Sequence, residues 1–393
     1  MGNLSRVIAP LLCAIGCGAG GRGGYSGPLD AVPGVDAPPR STVLDLEFGD
    51  EGVVQSDLLE DGIRVAVQAD GMIVVAGELG IAGAGCGAVR FTADGALDTT
   101  FGDGGLATFE FPASEGCGVG GLAIQGTSIL VGIRAFTSET QIVLCRLTAT
   151  GTLDPTFGNT GAGLAGCAAT EEALFARGVA VMPDQTIRFA ADHDVYRYDL
   201  DGAVIDRLDL FPIDPLQMAP RAAGGVFVSV NDISDVGVLA LSDANAPIAA
   251  YGTEGMTGRI PISFVTSSMA VHSDDRAIVG TKSETHDTLQ LARFTPEGAF
   301  DPTFGVGGIA THDIATGTAE DDVEAIAARL DGTSLVFAGN ATLALDAAGE
   351  RIATFGDDGV INIGLEVRDA VVQPDGKVIA VGRAGQLELV RLR

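Results

Sequence analysis

"AVVQPDGKVIAVGRAGQLELVRLR" (370–393) ends the chain and decides how the rest of it is read. It holds an apolar run, a polar turn with Asp and Gly, a second run, a second turn and a third run. Short runs of Val, Ile and Leu bounded by Gly, Pro and Asp are strands joined by turns. Its first two runs occur six times earlier, as "VAVQADGMIVVAG" (65–77), "LAIQGTSILVGI" (122–133), "VAVMPDQTIRFAA" (179–191), "MAPRAAGGVFVSV" (218–230), "MAVHSDDRAIVGT" (269–281) and "AARLDGTSLVFAG" (327–339). The third run also recurs, in "AVRFTADGALD" (88–98), "VLCRLTATGTLD" (143–154), "VYRYDLDGAVID" (195–206), "VLALSDANAPIA" (238–249), "LARFTPEGAFD" (291–301) and "LALDAAGERIA" (343–353). Those copies continue through a polar turn, whereas "LVRLR" at Leu389–Arg393 stops.

An aromatic-Gly turn follows most copies, at Phe48, Phe101, Phe157, Tyr251, Phe304 and Phe355. Most gaps between these turns are 51 to 56 residues. The 94-residue gap from Phe157 to Tyr251 holds two shorter units, with a degraded landmark expected near Leu208–Pro212. Four short strands per unit at this period are the mark of a β-propeller blade. The expected fold is therefore all-β, a seven-bladed β-propeller of four-stranded blades spanning 41–393. The seventh blade lacks its fourth strand at the C-terminus. "STVLDLEFGDEG" (41–52) is expected to supply it, with Val43, Leu44 and Asp45 standing where "GALDTTFG" stands in a full copy. Closing the ring with the N-terminal strand completes the last blade, which would otherwise expose an unpaired strand edge. The Phe of each landmark is expected to plug between blades, and its Gly to allow a turn conformation closed to other residues.

"VQPDGKVIAVG", "RFTADGALDTTFGDGG" and "RFTPEGAFDPTFGVGG" resemble the delta-60 repeats of bacterial secreted and surface proteins. The resemblance covers 41–393, strongest in blades one, five and seven and weakest in blade four. It implies a propeller module and brings no catalytic residues with it.

Within the repeat, Arg90, Arg146 and Arg293 each precede an Asp by eight residues, namely Asp98, Asp154 and Asp301. Arg197 precedes Asp206 by nine, and Arg391 meets Asp45 once the ring closes. The two units without the Arg, at Ala240 and Ala344, have Ile248 and Ile352 in place of the Asp. Partners gained and lost together are expected to be structural ion pairs, because losing one strands the other's charge.

The chain opens "MGNLSRVIAPLLCAIGC" (1–17). One Arg and a short apolar stretch suit a signal peptide rather than a membrane span. "AIGC" resembles a lipobox, which makes residues 1–16 the signal peptide and Cys17 the lipidation site. Residues 17–40 then read as the lipidated Cys and a Gly- and Pro-rich flexible linker. Cys86, Cys117, Cys145 and Cys167 remain, an even count in an exported chain, so disulfides are expected. Three pairings are possible. Cys86–Cys117 with Cys145–Cys167 is the one expected, since Cys86 maps to a loop beside the blade connection that holds Cys117.

A formal net charge of −29, spread along the 393 residues, excludes nucleic acid as a partner. No HExxH, GxSxG or Walker loop is present. "DLDGAVID" (199–206) aligns with the hairpin turns rather than a calcium loop. Three histidines precede Asp: His193-Asp194, His286-Asp287 and His312-Asp313. Strand direction places all three on the face formed by the blade connections and the loops between second and third strands. His286, Asp287, His312 and Asp313 are the candidate metal ligands, and Glu320, Asp321 and Asp322 form an acidic cluster beside them. No cofactor is expected; Ca²⁺ at this cluster is the alternative.

The function expected is that of a cell-envelope, lipid-anchored, monomeric propeller that binds an envelope protein or glycan without catalysis. It touches the membrane through its anchor only. The alternative is an envelope hydrolase or lyase, or a metal-binding propeller, with its site on the His-Asp face. The expected location is the outer membrane or cell surface of a Gram-negative bacterium, or else the periplasm or the medium.

Overall fold

The structure, a computed structural model, describes residues 43–80, 85–111, 116–136, 140–158, 165–170, 173–232, 234–261, 268–282, 288–314 and 322–393. Signal, Cys17 and linker lie outside these, as do His286, Asp287, Glu320 and Asp321.

Among the described residues 28 strands form seven four-stranded antiparallel sheets, with no helix. Blade one is β2 (Asp61–Val67), β3 (Ile73–Glu78), β4 (Cys86–Phe91) and β5 (Leu106–Phe109). Blade two is β6 (Gly116–Gln125), β7 (Ser128–Phe136), β8 (Gln141–Leu147) and β9 (Cys167–Ala169). Blade three is β10 (Ala176–Val181), β11 (Ile187–Ala191), β12 (Asp194–Tyr198) and β13 (Val204–Asp209). Blade four is β14 (Asp214–Pro220), β15 (Val226–Asn231), β16 (Asp235–Leu241) and β17 (Ile260–Pro261). Blade five is β18 (Ser268–Val271), β19 (Ala277–Lys282), β20 (Leu289–Phe294) and β21 (Ile309–His312). Blade six is β22 (Val323–Ala328), β23 (Ser334–Ala338), β24 (Ala341–Leu345) and β25 (Val360–Asn362). Blade seven takes β26 (Glu366–Val372), β27 (Val378–Arg383) and β28 (Leu387–Leu392) from one chain end and β1 (Val53–Ser56) from the other. The first strands line the axis and touch their neighbours around the ring, back to β26 against β2.

The ring closes as expected, but one segment later. Val53 pairs with Val390 and Ser56 with Leu387, so the closing strand is Val53–Ser56 and not 41–52. Residues 43–52 form the turn that precedes a fourth strand, with Leu44 bridging Leu392. Asp45 N–H donates to Arg391 O at 2.8 Å, as Asp98 N–H donates to Arg90 O at 2.9 Å in blade one. Blade three differs from the reading too. Its β12–β13 hairpin runs straight into the fourth strand, so the aromatic-Gly landmark is skipped rather than degraded, and Leu208–Pro212 spans the strand end and the blade connection.

Seven apolar clusters fill the seven gaps between blades. In β3, Val74 and Ala76 face blade two while Ile73 and Val75 face blade seven. Successive side chains of a strand point to opposite faces. A strand buried on both faces therefore reads as an unbroken apolar run.

The Arg–Asp pairs do more than hold one blade together. Arg90 meets Asp98 through Nε at 2.7 Å and Nη2 at 2.6 Å, and its Nη1 donates to Ala149 O of blade two at 2.7 Å. Its guanidinium lies 4.6 Å from the centre of the Phe101 ring. Arg146 with Asp154, Arg293 with Asp301 and Arg391 with Asp45 repeat this over Phe157, Phe304 and Phe48. They reach Leu200, Ala347 and Ala93 in the next blade. The landmark glycine adds a bond of its own, as when Gly102 N–H donates to Thr150 O at 2.8 Å. The facing turn residue must be Gly: a Cβ on Gly151 (φ +80) would lie 2.6 Å from Gly102 N and 2.9 Å from the Phe101 ring. Blades four and six keep the same backbone bonds at Ala240–Ile248 and Ala344–Ile352, with apolar side chains instead. In blade three Arg197 meets Asp206 at 3.1 Å in a wetter setting. There the buried Arg188 makes the inter-blade bond instead, donating to Asp243 O at 2.7 Å.

Cys86 is joined to Cys117 and Cys145 to Cys167. The first bond staples blade one to blade two and the second links facing residues of β8 and β9. Cys86 and Cys117 are buried strand residues rather than loop residues.

Candidate binding face around the central channel

Six of the seven first strands show a register shift near their upper end: Gly62/Arg64, Val119/Gly121, Ala176/Val179, Pro215/Met218, Val323/Ala325 and Val367/Asp369. A bulge leaves a backbone group out of the ladder. At this level Arg64, Gly121, Gly178, Gln217, Ser268, Ile326 and Asp369, one from each blade, line about 590 Å³ of space that is partly open to solvent.

Several channel groups are explained by the ring itself. Asp369 accepts the Val65 N–H of the next blade at 3.0 Å, and Gln217 accepts the Met269 N–H at 2.7 Å from the same repeat position. Burial pushes the Asp369 carboxyl above the usual range, against the Arg64 charge and two N–H bonds. Gly120 is there because blade three crowds it: a Cβ would lie 2.3 Å from the Ala176 carbonyl.

The upper rim differs. It is made of blade connections and of loops between second and third strands. Phe136 (37% exposed), Leu174 (58%), Phe175 (43%) and Phe211 (72%) all lie there, on blades two to four. Arg134 and Arg177 lie among them, with guanidinium centres 4.7 and 4.8 Å from the middle of the Phe175 ring. Arg134 also lies 4.6 Å from that of Phe136. Burial holds Arg177 below the ordinary arginine range, as do the charges of Arg134 and Arg64, while Asp214 and Asp192 act against this. Arg134 and Arg177 sit at strand positions that blade seven fills with Arg383 and Arg368, whereas Phe136, Leu174, Phe175 and Phe211 lie at strand ends and in connections. In sequence "LFARG" (174–178) is not set apart, since other connections carry large apolar residues such as Leu59, Ile363 and Leu365; those are buried, whereas Leu174 and Phe175 are exposed.

The histidines map to the rim only in part. His193 Nδ1 lies 2.8 Å from Asp214 and its ring packs edge-on to Phe211, while Asp194 pairs with Arg207 at 3.2 Å. His312 is no loop residue. It ends β21, is buried, and its Nε2 lies 3.0 Å from Gly349 O. The Asp313 carbonyl accepts from Arg351. His286 and Asp287 lie outside the described residues. Among the described residues no three His, Cys, Asp or Glu side chains gather as a metal would need. In the "DLDGAVID" turn, Asp199 caps its own hairpin by accepting the Asp201 and Ala203 N–H groups.

His272, passed over in the sequence, is the most confined. It is 5% exposed and neither ring nitrogen makes a well-formed hydrogen bond. Burial depresses it below the usual histidine range; the Arg329 backbone opposes this, Arg276 and Arg293 add to it, and Asp274 opposes it. His312 is also depressed, by burial first and then by Arg351. A group kept neutral on folding binds fewer protons folded than unfolded. Stability is thus full above the unfolded value, about 6.5, and falls below it by up to about 1.4 kcal/mol per pH unit per histidine. Blades one, two and seven hold Gln68, Gln125 and Gln373 at the place of His272. Gln68 and Gln125 bond the next blade's hairpin at Thr127 O and Gln185 O. We expect His272→Gln to stabilise the fold and flatten its loss between pH 6.5 and 5, read from urea unfolding across pH. An unchanged pH slope would show that His272 contributes nothing to it.

Seven four-stranded sheets ringed about a channel make the chain a seven-bladed β-propeller. Residues 68–101 and 129–157, in blades one and two, match the family model described as a domain of unknown function (DUF5122) beta-propeller. No curated protein sequence matches the chain. Among solved structures, virginiamycin B lyase from Staphylococcus aureus is 12% identical, with 86% of this chain and 97% of that one covered at a TM-score of 0.54. The Pan2 WD40 domain of Neurospora crassa is 10% identical, with 85% and 89% covered at 0.55. BamB from Moraxella catarrhalis is 11% identical, with 87% and 96% covered at 0.47. At these identities the first two likenesses speak for the fold alone, and the third carries no argument.

Proposed function

We propose that the protein is an exported, lipid-anchored propeller that binds an envelope partner through its upper rim, without catalysis. The observation that carries this reading is the gathering of exposed Phe136, Leu174, Phe175 and Phe211 with Arg134 and Arg177 on one side of one face. Exposed apolar side chains grouped with arginine mark interaction surfaces. The two disulfides suit an oxidising compartment. The described chain starts at Val43 on the opposite face, where Arg393 N–H donates to Val43 O. A tether before Val43 then leaves from below and turns the rim away from the membrane.

The test is photocrosslinking in cells, with the crosslinking residue placed at Phe211 on the rim or at Val306, which is 89% exposed on the lower face. Adducts from Phe211 and none from Val306 are expected. Adducts from Val306 alone, or from neither, would overturn the reading.

A further inference from the structure

We propose that Arg134 and Arg177, with Phe175, recognise a carboxylate side chain set among apolar residues of a protein partner. This deepens the rim reading and rests on it.

Arg90, Arg146, Arg293 and Arg391 are each consumed by an Asp, a carbonyl of the next blade and an aromatic ring. Among the described residues Arg134 and Arg177 have the rings alone as partners. Among the described residues neither is in an ion pair, and the Nε of each is left without a hydrogen-bond partner. The two described carboxylates whose charge acts on Arg177 have partners of their own. Asp192 accepts the N–H groups of Leu174 at 2.7 Å and Phe175 at 2.8 Å, and Asp214 is paired with His193. Arg64 adds a third positive charge that Arg177 feels from the channel. The result is a positive spot on a chain of net charge −29.

Guanidinium forks stacked on an aromatic ring keep their N–H edges free for a carboxylate. The field of the whole chain repels a polyanion, so the ligand chemistry is a single carboxylate rather than a phosphate run. The exposed Leu174 and Phe211 ask for apolar groups beside it.

The experiment is selection of phage-displayed random dodecapeptides on the full chain, followed by fluorescence anisotropy with the selected peptides. Enriched peptides should hold one Asp or Glu flanked by apolar residues. Changing that residue to its amide should weaken binding about ten- to hundredfold. Arg134→Gln with Arg177→Gln should cost the same factor, and the two losses should not accumulate. Arg177→Lys, which keeps charge and fold, should lose part of it. Peptides without a carboxylate, peptides indifferent to both arginines, or no enrichment would each overturn the proposal. The crosslinking at Phe211 then reports separately on whether the rim binds a partner at all.

Discussion

Asp301→Ile is expected to destabilise the protein by about 3–5 kcal/mol, the cost of leaving a buried charge without its partner. The side chain of Arg293 is 1% exposed and that of Asp301 5%. The other donors of Arg293 are held by Ala347 O and Thr303, and Asp274, the second carboxylate whose charge it feels, is paired with Arg276. Burial alone would raise the Asp301 carboxyl, but the Thr303 hydroxyl and N–H and the Arg293 charge outweigh it and hold it below the usual range. The double change Arg293→Ala with Asp301→Ile should cost less than Asp301→Ile alone. It copies what blades four and six already do with Ala240–Ile248 and Ala344–Ile352. Urea unfolding of the two variants decides it. A double variant no more stable than Asp301→Ile would mean that the charge of Arg293 is not what the single change strands, and the joint loss across blades would need another cause.

The second large effect is expected at the seam. A chain ending at Gln386 lacks β28, the strand between β27 and β1. Its loss removes Leu387, Leu389, Val390 and Leu392, all fully buried, from the two clusters on either side of blade seven. It also leaves Asp45 without Arg391 and leaves β1 without a sheet. The truncated chain should show no cooperative thermal transition. Leu389→Asp in the full chain is a milder probe, and should lower the melting temperature by placing a charge in the same gap. A truncated chain that melts like the full one would show that the ring does not depend on its closure.

The repeat made most of the architecture legible. Strand number, blade number, the joining of both chain ends and the Arg–Asp pairs each follow from seven copies of one local pattern. Alternation and turn chemistry are properties of neighbouring residues, so they are written in the chain. The seam was misplaced by one segment because Val43–Asp45 do align with the full copies, but with the turn of those copies rather than with the strand. Blade three was misread for a related reason. A landmark that is absent leaves no residue to recognise, and Leu208–Pro212, where it is expected, is a strand end and a blade connection.

What only the folded ring decided concerns residues far apart in the chain. Arg90 was legible as the partner of Asp98, but its bond to Ala149 exists because blade two is packed against blade one. His312 read as a loop residue because its burial comes from blade six. Arg134, Phe175 and Arg177 belong to two blades and the connection between them, and the repeat does not show that they meet. Local sequence sets which strands form and in what order; the curvature of the closed ring sets which side chains meet across a gap or at the rim, and that is where the binding face lies.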